Sequence, residues 1–284
     1  MIENVAVIGM GKTGAHIARL TALAGYRTTI RDLSRDLLEA TLHDIGESYK
    51  RLVSAGLLGD KEADAALKRL FPEVVIEKAV ITSDLVFEAL PDLLELKREL
   101  FVELDHLSPP HSVLVTTTAI HSVSEISAVT KRPESCLGMH WMGDPQVTSL
   151  VEIVKGFKTA TATLEIAQGV AEKMKQDWLL VQDAEGFVCS RLLTSLILEC
   201  SRLTEEGVAT MEDVDRAMSV IMGLSPLALA DSLGLDKIHA AALRLTEAYG
   251  ERFLPTQDLE RRVKARCYGK STGCGFFPYG TNVK

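Results

Sequence analysis

The sequence lacks a positive charge balance: its 284 residues carry 31 Lys and Arg against 39 Asp and Glu, a formal charge of −8. That excludes a general affinity for nucleic acid or anionic membranes, both of which need a basic surface. No apolar run approaches the roughly 20 residues of a membrane-spanning helix, and no low-complexity tract or internal repeat is present. Cysteine is scarce. The five residues, Cys136, Cys189, Cys200, Cys267 and Cys274, are odd in number and contain no C-x-x-C pair. Neither a disulfide framework nor a zinc site is expected from them, and most are expected to be small buried hydrophobes. No signal peptide is expected before the first strand, which points to a cytoplasmic protein. What remains, 46% hydrophobic and 25% charged residues, is the composition of a globular chain with a sizeable core.

The stretch that organises the chain is its beginning. A short Val- and Ile-rich run, Asn4 to Ile8, reads as a buried strand. It meets Gly9-Met10-Gly11-Lys12-Thr13-Gly14, and good helix formers follow from Ala15 to Leu23, with Gly25 as a C-terminal cap. In a strand, glycine loop and helix of this kind each glycine has its own task. Gly9 permits the tight turn, Gly11 lets the backbone approach a pyrophosphate, and Gly14 lets the helix pack close to the strand. The next strand, Thr28 to Ile30, leads to Asp32, about 20 residues beyond the loop, where an acid holds an adenosine ribose. A carboxylate there accepts from a ribose diol and repels a 2′-phosphate, so NAD is expected over NADP, with Arg31 and Arg35 as the features favouring the alternative.

Further on, Ser34 caps a helix toward Ala55, and a second helix over about Asp60 to Leu70 completes a helical hairpin. Strands are expected at Val74–Ile76, Leu85–Ala89, Ser112–Thr116, Cys136–Trp141, Leu150–Val154 and Trp178–Gln182. Helices are expected over Asp92–Leu104 and Thr159–Lys175. Two of these strands carry a titratable residue in an apolar context, His140 and Glu152. Beside a nucleotide cradle, a histidine held by a carboxylate is what hydride transfer from an alcohol needs: a base near neutral pH and an acceptor that fixes its tautomer. After a hinge at Asp183–Gly186 the apolar spacing changes to a 3.6 period. A long helix ending at Gly207 and a capping box at Thr210–Asp213 follow. The expected fold is therefore α/β: residues 1–183 form a Rossmann-type, mostly parallel sheet with an inserted helical hairpin, and residues 184–284 an all-α domain. Its surplus apolar residues suggest a homodimer.

These residues resemble the 3-hydroxyacyl-CoA dehydrogenase family over nearly the whole chain. The resemblance rests on Gly9 to Ala18, Phe87-Glu88-Ala89 with Lys97, Leu137 to His140, and Leu150 to Ile153. It continues through Gly186-Phe187 with Arg191-Leu192-Leu193, Pro226, Asp231, Gly234-Leu235-Asp236, and Gly269 to Phe276. It implies an NAD-binding domain, a helical dimerising domain, and oxidation of an L-3-hydroxyacyl thioester between them. By the same matching His140 is the general base and Glu152 its partner. Gly9, Met10, Gly11, Thr13, Gly14, Asp32, Ala89 and Lys97 fall at cofactor positions, Lys50 near the CoA nucleotide, and Thr117, Ala119 and Ser190 at substrate positions. The chain departs from the family at three places. Ser-Asn-Thr-Ser becomes Thr116-Thr117-Thr118-Ala119, the substrate-contacting asparagine becomes Ser190, and His-Phe-Phe-Asn-Pro becomes His140-Trp141-Met142-Gly143-Asp144. Thr117, Thr118, Ser190 and His121 are the residues able to supply replacement bonds. An altered acyl specificity, a carrier-protein-bound hydroxyacyl group, a free hydroxy acid, or an NAD-binding scaffold without turnover are the readings that follow.

Overall fold

A computed structural model describes residues 2–141 and 150–280, which divide into two compact units, Met1–Ala184 and Glu185–Lys284. In chain order the first contains β1 (Asn4–Ile8), α1 (Lys12–Leu23), β2 (Arg27–Arg31), α2 (Arg35–Ser54), α3 (Asp60–Leu67), β3 (Leu70–Glu73), α4 (Ile76–Val80) and β4 (Leu85–Glu88). It continues with α5 (Leu94–Leu107), β5 (Val113–Thr116), α6 (Val123–Ser127), β6 (Cys136–Trp141), β7 (Leu150–Lys155), α7 (Thr161–Lys173) and β8 (Asp177–Gln182). The eight strands form one sheet in the order β3-β2-β1-β4-β5-β6-β7-β8. Only the β6–β7 pair is antiparallel. The sheet is therefore the mostly parallel, Rossmann-type one expected, with α2 and α3 as the inserted hairpin.

Alternation along the strands sorts side chains onto two buried faces. Val5, Val7, Phe87, Met139 and Ile153 face α1 and α7. Ala6, Ile8, Val86, Leu114 and Cys136 face Phe101 of α5 and Ile126 of α6. Glu88, His140 and Glu152 share the parity of this second face.

Several elements differ from the sequence expectation. The third strand is Leu70–Glu73, not Val74–Ile76, and Ile76 opens a short helix instead. The strand contains Pro72, which a sequence reading places outside a sheet. It is tolerated because β3 is the edge, where a missing N–H breaks no ladder. Helix α5 starts at Leu94, because the Asp92 carboxylate is engaged elsewhere, accepting from Thr118 Oγ1 at 2.7 Å and Ala119 N at 2.8 Å. The unexpected α6 is started by Ser122, whose hydroxyl accepts from Glu125 N, and by Asp183, which accepts from the amides of Val123 and Ser124.

The second unit contains α8 (Cys189–Glu205), α9 (Met211–Met222), α10 (Pro226–Leu233), α11 (Leu235–Tyr249) and α12 (Gln257–Lys264), around a core that includes Ile197, Leu198, Leu227, Leu245 and Phe253. Thr210 caps α9 by accepting from Asp213 N at 3.2 Å, and Asp215 caps α10 through the amides of Leu227 and Ala228. Asp231, 1% exposed, accepts from Phe276 N at 2.8 Å and Phe277 N at 2.9 Å, and burial pushes its carboxyl above the usual range. The cysteine expectation needs correction here. Cys136 and Cys200 are buried, but Cys267 and Cys274 form a disulfide, their Cα atoms 4.8 Å apart across a turn held by Gly269. Counting and spacing rules look for frameworks, so they miss a single pair closed by a local turn.

Candidate active site

The glycine loop has the geometry of an anion cradle. Gly9, at φ +98°, lies so close to the β4 end that a Cβ would stand 2.8 Å from the Ala89 carbonyl oxygen, and a Cβ on Gly14 would stand 1.8 Å from the Gly9 oxygen. Both glycines are packing requirements. Gly11 is different: a Cβ there meets no protein atom within 4 Å. It is the N-cap of α1 and has no side-chain cap, and the first turn has no acid, so the Thr13 and Gly14 amides face outward at the positive end of the helix. Asp32 closes the cradle, its carboxylate accepting from Met10 N at 2.8 Å and Leu33 N at 2.7 Å. These residues fit a dinucleotide: amides for a pyrophosphate, open space over Gly11, and an acid for a ribose.

The other predicted residues occupy different environments. Ala89 is half-buried beside Gly9. The Lys97 side chain is 1% exposed, and its ammonium donates to Glu88 Oε1 at 2.9 Å, Oε2 at 3.0 Å and the Leu90 carbonyl at 3.3 Å. It holds the loop that carries Ala89 from beneath. Thr117 and Ala119 follow β5 and are half-buried. Lys50, on α2, is exposed and pairs with Glu47. Ser190 belongs to the second unit, buried on α8. Met142, Gly143 and Asp144 lie outside the described residues.

The pair at the centre is well defined. β6 and β7 lie side by side, with His140 directly opposite Glu152 in the register. His140 is 6% and Glu152 1% exposed, and Nδ1 stands 2.6 Å from Glu152 Oε2. A carboxylate oxygen accepts, so Nδ1 carries a proton, and in the neutral ring the lone pair is on Nε2. Nearby, burial pushes the Cys136 thiol up to about 12, which removes it as a nucleophile at neutral pH.

Comparison with known proteins agrees with this arrangement. Residues 4–184 match the family model described as 3-hydroxyacyl-CoA dehydrogenase, NAD binding domain, and residues 186–279 match its C-terminal domain. The chain belongs to the 3-hydroxyacyl-CoA dehydrogenase family. It is an NAD-dependent oxidoreductase of that family. A Bacillus subtilis relative named probable 3-hydroxybutyryl-CoA dehydrogenase is 34% identical over 98% of each chain. Two solved structures are similar over nearly full length. Mycobacterium tuberculosis FadB2 is 33% identical with a TM-score of 0.93, covering 98% of this chain and 99% of that one. Ralstonia eutropha (S)-3-hydroxybutyryl-CoA dehydrogenase PaaH1 is 26% identical with a TM-score of 0.93, covering 99% and 100%.

Sequence reasoning missed Asp92, which ties the β4 and β5 loops together through Thr118 and Ala119. The signal that could have found it is the pairing of an acid just after one parallel strand with hydroxyls just after its neighbour. Among the described residues no group of three or more His, Cys, Asp or Glu is placed to hold a metal ion. No helix among them is long and apolar enough to cross a membrane.

Proposed function

We propose that the chain interconverts a 3-hydroxyacyl thioester and its 3-oxo form, with His140 as the acid/base group and Glu152 as its orienting partner. The observation that carries this reading is the buried 2.6 Å bond between His140 Nδ1 and Glu152. In the oxidative direction His140 Nε2 takes the hydroxyl proton as C3 gives up a hydride and its oxygen becomes a ketone. NAD, when bound, is the acceptor of that hydride. The imidazolium formed is then stabilised across the bond to Glu152, and the proton returns to the oxygen in the reverse direction. The cofactor is assigned to the domain of residues 1–183, through Gly9, Met10, Gly11, Thr13, Gly14, Asp32 and Ala89, with Lys97 supporting the loop. Residues 184–284 contribute Ser190 and pair two copies of the chain. Val220 and Ile221, 84% and 75% exposed at the end of α9, support that pairing.

The substrate shell is altered. Losing one donor to a developing oxyanion typically costs about 2.7–4 kcal/mol, so Ala119 and Ser190 in an unchanged pose would slow the family reaction severely. The short-chain names of the relatives make acetoacetyl-CoA with NADH the first assay, followed by carrier-bound and free-acid counterparts. Turnover of a thioester that falls by about 10²–10⁴ in His140→Asn, which keeps a donor to Glu152 but removes the base, with NADH affinity unchanged, supports the reading. Parental turnover in that variant contradicts it.

A further inference from the structure

The bonded cysteines of the second unit lie in a stretch of one charge sign. From Arg261 to Lys284 the chain has no Asp or Glu, and five cations, Arg261, Arg262, Lys264, Arg266 and Lys270, surround Cys267 in the sequence. Three of them are engaged: Arg262 pairs with Asp258 at 2.7 Å, Lys264 pairs with Glu260 at 3.1 Å, and Arg261 donates to Gln257 at 3.2 Å. Arg266 and Lys270, just before and just after Cys267, are exposed and form no ion pair among the described residues. Cys267 and Cys274 are half-buried, in contrast to the buried Cys136 and Cys200. A small anion is therefore attracted to the same place where it meets sulfur.

The turn between the two cysteines has hydrogen bonds of its own. Gly269 N donates to the Cys274 carbonyl at 2.6 Å, Thr272 N to the Gly269 carbonyl at 3.1 Å, Tyr268 N to Thr272 Oγ1 at 2.8 Å, and Tyr279 N to the Gly273 carbonyl at 2.9 Å. None of these involves sulfur. They keep the two Cα atoms near their 4.8 Å separation, inside the range a disulfide needs, in the reduced chain as well. The same turn is an anchor. Gly269 lies so close to α10 that a Cβ would stand 2.1 Å from the Asp231 carbonyl oxygen, and the Tyr268 carbonyl accepts from Leu235 N, the first residue of α11, at 2.9 Å. Just beyond Cys274, the Phe276 and Phe277 amides donate to the Asp231 carboxylate. The sulfur bond thus closes the loop that ties the end of α10 to the start of α11.

We infer that Cys267 and Cys274 form a reversible thiol–disulfide site exchanged by an anionic small disulfide of the glutathione class, and that its state sets how firmly the turn is held on Asp231. In the closing direction the Cys267 thiolate attacks one sulfur of oxidised glutathione, forming a mixed disulfide and releasing one glutathione thiolate. The Cys274 thiolate then attacks the Cys267 sulfur and releases the second. Two electrons pass from the protein to glutathione, and the two protein thiol protons end on the released glutathione sulfurs. Reduced glutathione runs the same steps backwards. Arg266 and Lys270 attract the carboxylates of the tripeptide. With the bond open the loop regains conformational freedom, so the Phe276 and Phe277 amides leave Asp231 more often.

Thiol counting and amide exchange on the full chain test this without turnover. Millimolar reduced glutathione should open the bond in the folded protein and oxidised glutathione should restore it, with Cys136 and Cys200 unmodified throughout. Opening should speed amide exchange at Phe276 and Phe277 by about tenfold. Cys274→Ser, treated with oxidised glutathione, should hold a glutathione adduct on Cys267, seen by mass spectrometry, because the second thiolate is missing. Replacing both cations, Arg266→Gln with Lys270→Gln, should slow closure by oxidised glutathione at least about threefold relative to closure by the uncharged hydroxyethyl disulfide. A bond that withstands reduced glutathione until the protein unfolds would make the pair a fixed staple and overturn the proposal. So would exchange at Phe276 and Phe277 that is the same in both states. If the two disulfides close the bond with the same relative rates in the parent and the double variant, the assignment of an anionic partner is overturned.

Discussion

Glu88 and Glu152 are both buried carboxylates on the same face of one sheet, and they differ in their partners, a lysine for one and a histidine for the other. Glu88 is 0% exposed and saturated: Lys97 donates to both oxygens, the Leu90 amide donates at 2.7 Å, and Thr116 Oγ1 donates at 2.7 Å. This cluster fixes the β4 loop under the glycine cradle through the Leu90 amide and carbonyl. Glu152 meets the imidazole of His140 instead, 2.6 Å from Nδ1. The same low-dielectric surroundings that make Glu88–Lys97 a clamp make His140–Glu152 responsive to a charge that comes and goes.

The largest expected stability effect separates the two pairs. Lys97→Met leaves Glu88 buried without its cation and should cost about 3–5 kcal/mol of unfolding free energy, measured by urea denaturation. His140→Asn keeps a donor to Glu152 and should cost far less, although it removes most of the rate. Equal destabilisation by the two substitutions would erase the distinction. Next, Asp231→Ala strands the amides of Phe276 and Phe277 and should cost about 2–4 kcal/mol while leaving NADH affinity unchanged. That would show that a buried carboxylate in the helical unit acts on the fold alone.

A smaller effect is expected at Asp32. Asp32→Asn should weaken NADH binding by roughly tenfold and narrow the preference over NADPH, read from the two dissociation constants. Part of the loss comes from loosening Met10, whose amide Asp32 accepts. The smallest effect is electrostatic. Burial works to raise the Asp84 carboxyl, but the amides of Asn4 and Glu3 and the His111 ring outweigh it and hold it below the usual range. A depressed carboxyl contributes stability in full above about pH 5 and loses it as pH falls through the folded value. Asp84→Asn should therefore flatten the acid side of the stability curve without changing activity.

Much of this molecule is legible in its sequence where local pattern and tertiary role coincide. Gly9 and Gly14 announce the cradle because close packing demands them, Gly11 because it leaves the loop open, and Asp32 because it stands at a fixed spacing from them. His140 and Glu152 are visible because two apolar strands each interrupt their pattern with one titratable residue, and the structure lays those strands side by side. What stays hidden depends on partners distant in sequence. Pro72 lies in a strand only because that strand is an edge. The work of Asp92 depends on Thr118 and Ala119, 26 and 27 residues away. Lys97 reads as a ligand residue from its matched position, yet its charge is spent within the loop. The Cys267–Cys274 bond depends on a turn that no cysteine count describes.

The most direct test of the His140–Glu152 assignment is the pH dependence of kcat/KM for hydroxyacyl oxidation in the parent and in Glu152→Gln. The carboxylate favours the imidazolium, so its loss makes His140 less basic. The account predicts a lower plateau, by about 10–100-fold, with the acidic limb moved to lower pH. An acidic limb that stays in place, with an undiminished plateau, would contradict it, because the proton would then be moved by a group that Glu152 does not touch.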